Sequence, residues 1–217
     1  MKLKDEIGIE QECFLLDKKG QIVEPKLYGF PFDEYGFLVE IRTQPHTNEK
    51  SLMTELIKLT NAHRAQAEEL GFKLHFVHRM KLSSDFVKRL AVKYAWDCLK
   101  DKTANVYYGT EVSHATGVDR WSEDRIIWGT AGTHIHFSRK RIIQQETRRV
   151  QLPIRKIVMI FDARFDRIIS LANRIAGEYE IKPYGFEYRS LPASMNIFMA
   201  VHFGFILLER DRKGLEI

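Results

Sequence analysis

An α+β fold is predicted by two kinds of patterning in this chain. Four stretches alternate apolar and charged side chains at the period of a half-buried strand, and four others keep apolar residues at the spacing of a helix packed on one side. A third observation concerns what the strands carry: their polar positions are almost wholly Glu, His and Arg. A merely solvated face would mix in lysine, threonine and serine. A set restricted to metal ligands and guanidinium groups points instead to a cleft for a cation beside an anionic group.

The 217 residues suit a single domain spanning 1–217 with a sizeable core. Hydrophobic residues at 44% and charged residues at 29% are ordinary for a globular protein, and no apolar run approaches the roughly 18 residues of a membrane span, so no membrane partner is expected. The first residues, Met-Lys-Leu-Lys-Asp-Glu-Ile, lack the apolar stretch of a signal peptide. Cys13 and Cys98 have no ligand or disulfide spacing, and a reducing cytoplasm is expected. Thirty-four Lys and Arg against 29 acidic residues give a net charge of +5, which permits a nucleic-acid partner without requiring one. The basic residues concentrate between Arg139 and Arg174, most densely at Arg139, Lys140, Arg141, Arg148, Arg149, Arg155 and Lys156. A solvated helix face is the favoured reading there, with a polyanion site as the alternative.

In chain order, residues 7–16 (Ile-Gly-Ile-Glu-Gln-Glu-Cys-Phe-Leu-Leu) read as a strand ending at the turn Asp17-Lys18-Lys19-Gly20. Glu10 and Glu12 share one face, with Ile9, Cys13 and Leu15 on the other. Two like charges side by side favour a hard divalent cation between them; two solvated glutamates on an edge strand would look the same. Residues 37–43 repeat the design, Val39 and Ile41 on one side and Glu40 and Arg42 on the other. Thr47 or Asn48 can cap a helix carrying Leu52, Leu56, Leu59, His63 and Leu70 up to Gly71. His63 reads there as a core or boundary residue. Residues 72–77 form a short strand, and Ser83 or Ser84 caps a helix with Phe86, Leu90 and Tyr94 on one side.

Residues 100–128 read as irregular, with Tyr107, Tyr108, Gly109, His114, Gly117 and Trp121, and a connection of that length is expected to be a binding loop or lid. Gly129 then leads into a strand that places His134, His136 and Ser138 on one face and Ile135 and Phe137 on the other. No cysteine accompanies the histidines and carboxylates dominate the other strands, which suits Mg²⁺ or Mn²⁺ better than zinc. Residues 154–175 predict one or two helices burying Ile157, Ile160, Phe161, Phe165, Ile168, Ile169, Leu171 and Ala172, and residues 194–208 a buried helix. Between them lies Tyr-Glu-Ile-Lys-Pro-Tyr-Gly-Phe-Glu-Tyr-Arg-Ser-Leu-Pro, residues 179–192. Pro183 and Gly185 make a turn, after which Glu187 and Arg189 project in parallel from one strand face, where a metal ion and a phosphoryl oxygen can bind side by side.

The ordered set Gly-Ile-Glu-Gln-Glu, Val-Glu-Ile-Arg-Thr, Gly-Thr-His-Ile-His-Phe and Gly-Phe-Glu-Tyr-Arg-Ser-Leu-Pro resembles the motifs of the glutamine synthetase and glutamate-cysteine ligase superfamily. The likeness runs over about residues 7–195 and is nearest to the small phage-type carboxylate-amine ligases, the amidoligases. It implies a curved, mainly antiparallel sheet with helices on its outer face, and an ATP-dependent ligase that phosphorylates a carboxylate and lets an amine displace the phosphate. It assigns Glu12 and Glu40 to one metal ion, and Glu10, His134 and Glu187 to another near the nucleotide phosphates. His136 and Ser138 would lie beside the nucleotide, and Arg189 would stabilise the phosphoryl group in transfer. A phage-encoded member would act in the host cytoplasm on small-molecule or peptide carboxylates and amines. Two departures stand out: Glu180 occupies the place of an arginine in related small ligases, so that Arg174, Lys182 or Arg42 would have to meet the substrate, and only Glu111 is left to serve as a further acidic ligand. A phosphotransferase on the same scaffold, or a basic nucleic-acid-binding or structural protein that has lost catalysis, would carry the same sequence features.

Overall fold

The computed structural model describes residues 2–33, 36–93, 104–107, 110–113, 127–143, 146–149, 151–193 and 196–216. Tyr94, Cys98, Tyr108, Gly109, His114, Gly117 and Trp121 lie outside them. The strands are β1 (Lys2–Leu16), β2 (Leu38–Arg42), β3 (Lys73–His75), β4 (Arg79–Leu82), β5 (Ala104–Tyr107), β6 (Thr110–Ser113), β7 (Ile127–Thr130), β8 (Gly132–Ile143), β9 (Glu146–Arg149), β10 (Glu178–Lys182) and β11 (Gly185–Pro192). The helices are α1 (Glu49–Glu69), α2 (Ser84–Lys93), α3 (Ile154–Leu171) and α4 (Ile197–Arg212), with a short 3-10 turn at Pro25–Tyr28. The class is α+β. The main sheet runs β2-β1-β8-β11-β10-β5-β6, every pairing antiparallel, with β3 added to β1 and β9 to β8. It is open, with β2 and β6 at its two ends, and β4 and β7 form a separate ribbon.

Period-2 alternation gives this sheet two unlike faces. One carries Ile7, Ile9, Cys13, Leu15, Val39, Ile41, Ile135, Phe137, Phe186 and Tyr188, all fully buried. Against it pack Leu52 and Leu56 of α1, Phe161 and Phe165 of α3, and Val201 and Leu208 of α4. The other face carries the charged residues, and its far end is covered too: Phe14, Leu16 and Leu38 pack against Leu82 of β4 and Phe86, Val87 and Leu90 of α2. The acids therefore lie in a cleft beside a second apolar cluster, not on an open surface.

Local rules account for the helix starts. The Asn48 side chain accepts from Ser51 N at the head of α1, and Asn196 accepts from Phe198 N at the head of α4. Several expectations need correction. On α3 the buried stripe includes Ile157, Phe161, Phe165 and Ile169; Leu171 is exposed because it falls outside the 3.6-residue period of that stripe, and Ile168 is exposed although it falls within it. Leu70 of the helix before Gly71 is likewise exposed, and α4 leaves Phe198, Met199 and Ile206 at the surface. Part of the irregular stretch at 100–128 is strand, since β5 and β6 pair with each other and β5 extends the sheet beyond β10.

Of the basic cluster, Arg155 and Lys156 lie exposed on α3 as expected, but the stretch from Arg139 to Arg149 is no helix face. It is an antiparallel hairpin of β8 with β9, where cross-strand bonding outweighs any helical spacing of the charges. Arg139 is buried within it: it bonds Asp5 Oδ1 at 2.5 Å, the Asp211 carboxylate, and the Leu208 carbonyl at 2.7 Å, and so ties α4 to β1 and β8. Replacing one member of such a pair strands the others in low dielectric. Arg139→Met is expected to lower stability by about 3 kcal/mol, the lower end of the range for a buried pair because Asp211 keeps some contact with water. A urea titration with an unchanged midpoint would show that the latch contributes nothing.

Candidate functional site

The register of four adjacent strands builds the site. Glu10 on β1 stands directly opposite Arg42 on β2 and opposite His134 on β8, Glu12 opposite Glu40, and Glu187 on β11 opposite His136. Directly opposed residues share a face. Glu10, Glu12 and His134 each offer a ligand atom within 4.8 Å of the others. Glu40 and Glu187 flank this group and are equally buried. The three-ligand group thus draws on both of the metal sets that the sequence resemblance implies.

Cations of the protein itself stand among the acids. Arg42 Nε lies 2.7 Å from Glu10 Oε2 while its Nη2 holds Glu40. His134 Nδ1 is 3.0 Å from both Glu10 Oε1 and Glu187 Oε1. Lys182 Nζ bridges Glu180 at 2.7 Å and Glu187 at 2.9 Å. Arg189 Nη1 bridges Glu180 at 3.0 Å and Glu187 at 3.1 Å, with Nε 3.9 Å from Glu178.

Arg189, which alternation places on the face of Glu187, lies in an irregularity that turns Leu191 to the apolar face. Between Tyr188, opposite Ile135, and Leu191, opposite Thr133, β11 holds one more residue than β8, a β-bulge at Arg189 and Ser190. Arg174, just beyond α3, donates from Nη2 to the Arg189 carbonyl at 2.5 Å and so braces the bulge. It reaches there because residue 132 is glycine: a Cβ at that position would stand 2.9 Å from Arg174 Nη2 and 3.0 Å from His134 Nε2. The Gly132 amide also donates to Glu12 Oε2 at 2.5 Å. Gly185 has a parallel role at the hairpin turn, where a Cβ would lie 2.0 Å from the Phe137 carbonyl oxygen.

Tyr184, in the turn between β10 and β11, shares a hydrogen bond between its hydroxyl and His136 Nδ1, and Nε2 of the same ring lies 3.9 Å from Glu10 Oε2. Burial holds the His136 imidazole below its ordinary value, helped by His134 and Lys182 against Glu187 and Glu10. Ser138 is not brought into the cluster; its hydroxyl donates to Glu6 at 3.3 Å. Glu111 sits on β6 opposite Val106, and its side chain is outside those described. Tyr184, Glu178 and Gly132 escaped the sequence analysis, although the Pro-Tyr-Gly turn that carries Tyr184 was visible in it.

The charge states follow from this crowding. Burial opposes ionisation of Glu10, but His134 and Arg42 outweigh it and hold the carboxyl down at about 2. Burial and Arg189 oppose a charge on His134, yet Glu12, Glu10 and Glu187 push it up to about 10. As an imidazolium it offers no lone pair, so a metal ion at this site takes the place of that proton. Glu40 goes the other way: burial, then Glu10, with Glu12 and Asp33 adding to it, lift its carboxyl to about 8 against the pull of Arg42. With Glu40 protonated and His134 an imidazolium, Glu10, Glu12, Glu180 and Glu187 are matched by Arg42, His134, Lys182 and Arg189. A divalent cation between Glu10, Glu12 and His134 fits that donor set, and two carboxylates with one imidazole suit Mg²⁺ or Mn²⁺.

No known protein family, curated protein or solved structure matches the chain. Among the described residues, no helix is long and apolar enough to cross a membrane.

A pH prediction follows from Glu40. Its folded-state value of about 8 lies above the ordinary 4.5, so the folded chain binds the proton more tightly, and the stability this confers is present at low pH and lost as pH rises through that window. In chelator, the unfolding free energy of the wild type should fall between about pH 4.5 and 8 more steeply than that of Glu40→Gln. Parallel curves would mean that Glu40 is ionised throughout.

Proposed function

We propose that the chain is an ATP-dependent carboxylate-amine ligase that works through an acyl phosphate, with a sheet arranged like the catalytic domain of the glutamine synthetase superfamily. One observation carries this reading: the three-ligand group of Glu10, Glu12 and His134 lies on the same sheet face as Glu40, Glu187 and Arg189, between two apolar clusters. The ordered motifs of the sequence support it.

In this reading Glu10, Glu12 and His134, with Glu40 and Glu187 beside them, hold Mg²⁺ or Mn²⁺, which when bound supplies charge neutralisation for the triphosphate. His136 faces the nucleotide through Nε2. A substrate carboxylate oxygen bonds to the γ-phosphorus as the bond to ADP breaks, and Arg189 stabilises the charge on the transferring group's oxygens. The amine nitrogen then attacks the acyl carbon, phosphate leaves with the electron pair of its C–O bond, and the nitrogen loses a proton. Glu180, held by Arg189 and Lys182, presents a carboxylate where a cationic amine substrate would bind. A phosphotransferase would share every step up to the amine, and product analysis with candidate amines separates the two.

A second reading has its own support. Arg42, Lys182 and Arg189 are each bonded to two carboxylates, an arrangement that a sheet neutralising itself without catalysis would also adopt.

Calorimetry distinguishes the two readings. ATP should bind with Mg²⁺ or Mn²⁺ and lose most of its affinity in chelator; equal affinity in both would remove the metal assignment and leave the second reading. Two substitutions should then separate the roles. Glu187→Gln should weaken metal-dependent ATP binding, whereas Arg189→Ala should cost on the order of 10³ in turnover with a smaller effect on affinity. The division fails if both variants lose ATP affinity alike.

A further inference from the structure

Both oxygens of Glu10 are engaged by cations of the protein itself. Arg42 Nε meets Oε2 at 2.7 Å and His134 Nδ1 meets Oε1 at 3.0 Å. A metal ion that takes Glu10 as a ligand therefore competes with one of them directly. His134 offers the ion a ring nitrogen and stays as a ligand, whereas a guanidinium has no lone pair to give and can only leave. Even an ion bound through Oε1 would stand within roughly 6 Å of the Arg42 guanidinium, where like charges repel.

Three observations single out Arg42 as the cation that moves. Its side chain keeps 63% of its surface in water, against 28% for Arg189, 24% for Lys182 and 3% for His134. It stands on β2, at one end of the sheet, whereas Lys182 and Arg189 hold Glu180 and Glu187, outside the three-ligand group. The backbone beside it is fixed: Ile9 N donates to Thr43 Oγ1, and Thr43 N to the Ile9 carbonyl, both at 2.9 Å. Release then needs only rotation about side-chain bonds, with β2 left in register.

What Arg42 lets go bears on the chemistry of the cleft. Its Nη2 also holds Glu40, which stands opposite Glu12. Withdrawal of one side chain thus frees an oxygen on each of two carboxylates, and Glu40 can join Glu10, Glu12 and His134. The freed guanidinium is a planar fork of donors suited to two oxygens of one carboxylate or phosphate. Its tether keeps it at the edge of the cleft.

We propose that Arg42 and a divalent cation exchange places on Glu10, and that the released guanidinium grips an oxyanion of the substrate. The proposal rests on the metal assignment made above. It is tested on the full chain by following phenylglyoxal modification of Arg42 by peptide mass spectrometry, with and without Mn²⁺. The ion should speed the reaction several-fold as Nη2 leaves Glu40. In Mn²⁺, a non-hydrolysable ATP analogue should slow it again if the oxyanion is a phosphate, and succinate if it is a carboxylate. By calorimetry, Arg42→Gln should bind Mn²⁺ about tenfold more tightly than the wild type, the lower end for loss of a competing charge-assisted hydrogen bond because water screens this one. Lys50→Gln on α1 removes the same charge elsewhere and should bind Mn²⁺ as the wild type does. If Mn²⁺ binds the wild type yet leaves the reactivity of Arg42 unchanged, the exchange is overturned and the metal site stands, whatever the affinity of the variant. If neither the analogue nor succinate slows the reaction, the oxyanion role falls. Absence of Mn²⁺ binding to wild type and variant alike overturns the metal assignment itself.

Discussion

Glu10 has a cation on each side of it, Arg42 from β2 and His134 from β8, and the rest of the charged face depends on that arrangement. A carboxylate this buried is costly unless it is paired. Here the pairing is shared: Arg42 carries the link on to Glu40, and His134 carries it to Glu187, whose other oxygen meets Lys182. Charge alternates across five strands, from β2 to β10. The network also pins register, because a slip of one residue in any strand would turn its acids toward the helices and its isoleucines toward the cleft.

The two faces were legible in the sequence because side-chain alternation is a local property. Glu10 with Glu12, Glu40 with Arg42, and His134 with His136 each share a face whatever the strand pairs with. What lay beyond reach depends on contacts distant in sequence. The bulge at Arg189 and Ser190 exists only in the pairing of β11 with β8, and its brace, Arg174, is known only from the fold. The charges between Arg139 and Arg149 do not distinguish a helix face from a strand pair, and only β8–β9 pairing decides between them. The internal counter-ions were missed for a simpler reason. Four clustered glutamates suggest repulsion, but Lys182 and Arg42 could be recognised as their partners only once the strands were side by side.

The site's surroundings matter as much as its ligands. On the helix side the sheet is closed by a core rich in aromatic contacts, with Phe137 stacked on Phe186 and Phe161 set against Tyr188, Phe165 and Phe203. The hydroxyl of Tyr188 donates to buried Asp162 of α3 at 2.6 Å, directly beneath the bulge. Side chains packed at that density have little freedom to shift. The strand that carries Glu187 and Arg189 is thus held from below while its charged residues face the cleft, the support that a preorganised polar site requires.

β1 lies between β2 and β8 in the sheet, and these two neighbours are made at very different times. β2 follows within about thirty residues, but Gln11 must wait for Thr133, and Asp5 for Arg139. At the usual 5–20 residues per second of synthesis, β1 stands with one edge unpaired for on the order of ten seconds. Its alternating Ile7, Ile9, Cys13 and Leu15 are then an adhesive surface still lacking α3 and α4, which cover it with α1 in the finished fold. Glu10 and Glu12 on the other face of the same strand mark it with charge, and like charges directly opposite disfavour the in-register pairing of two nascent copies. The carboxylates that crowd the finished cleft would in this way also guard the unfinished chain.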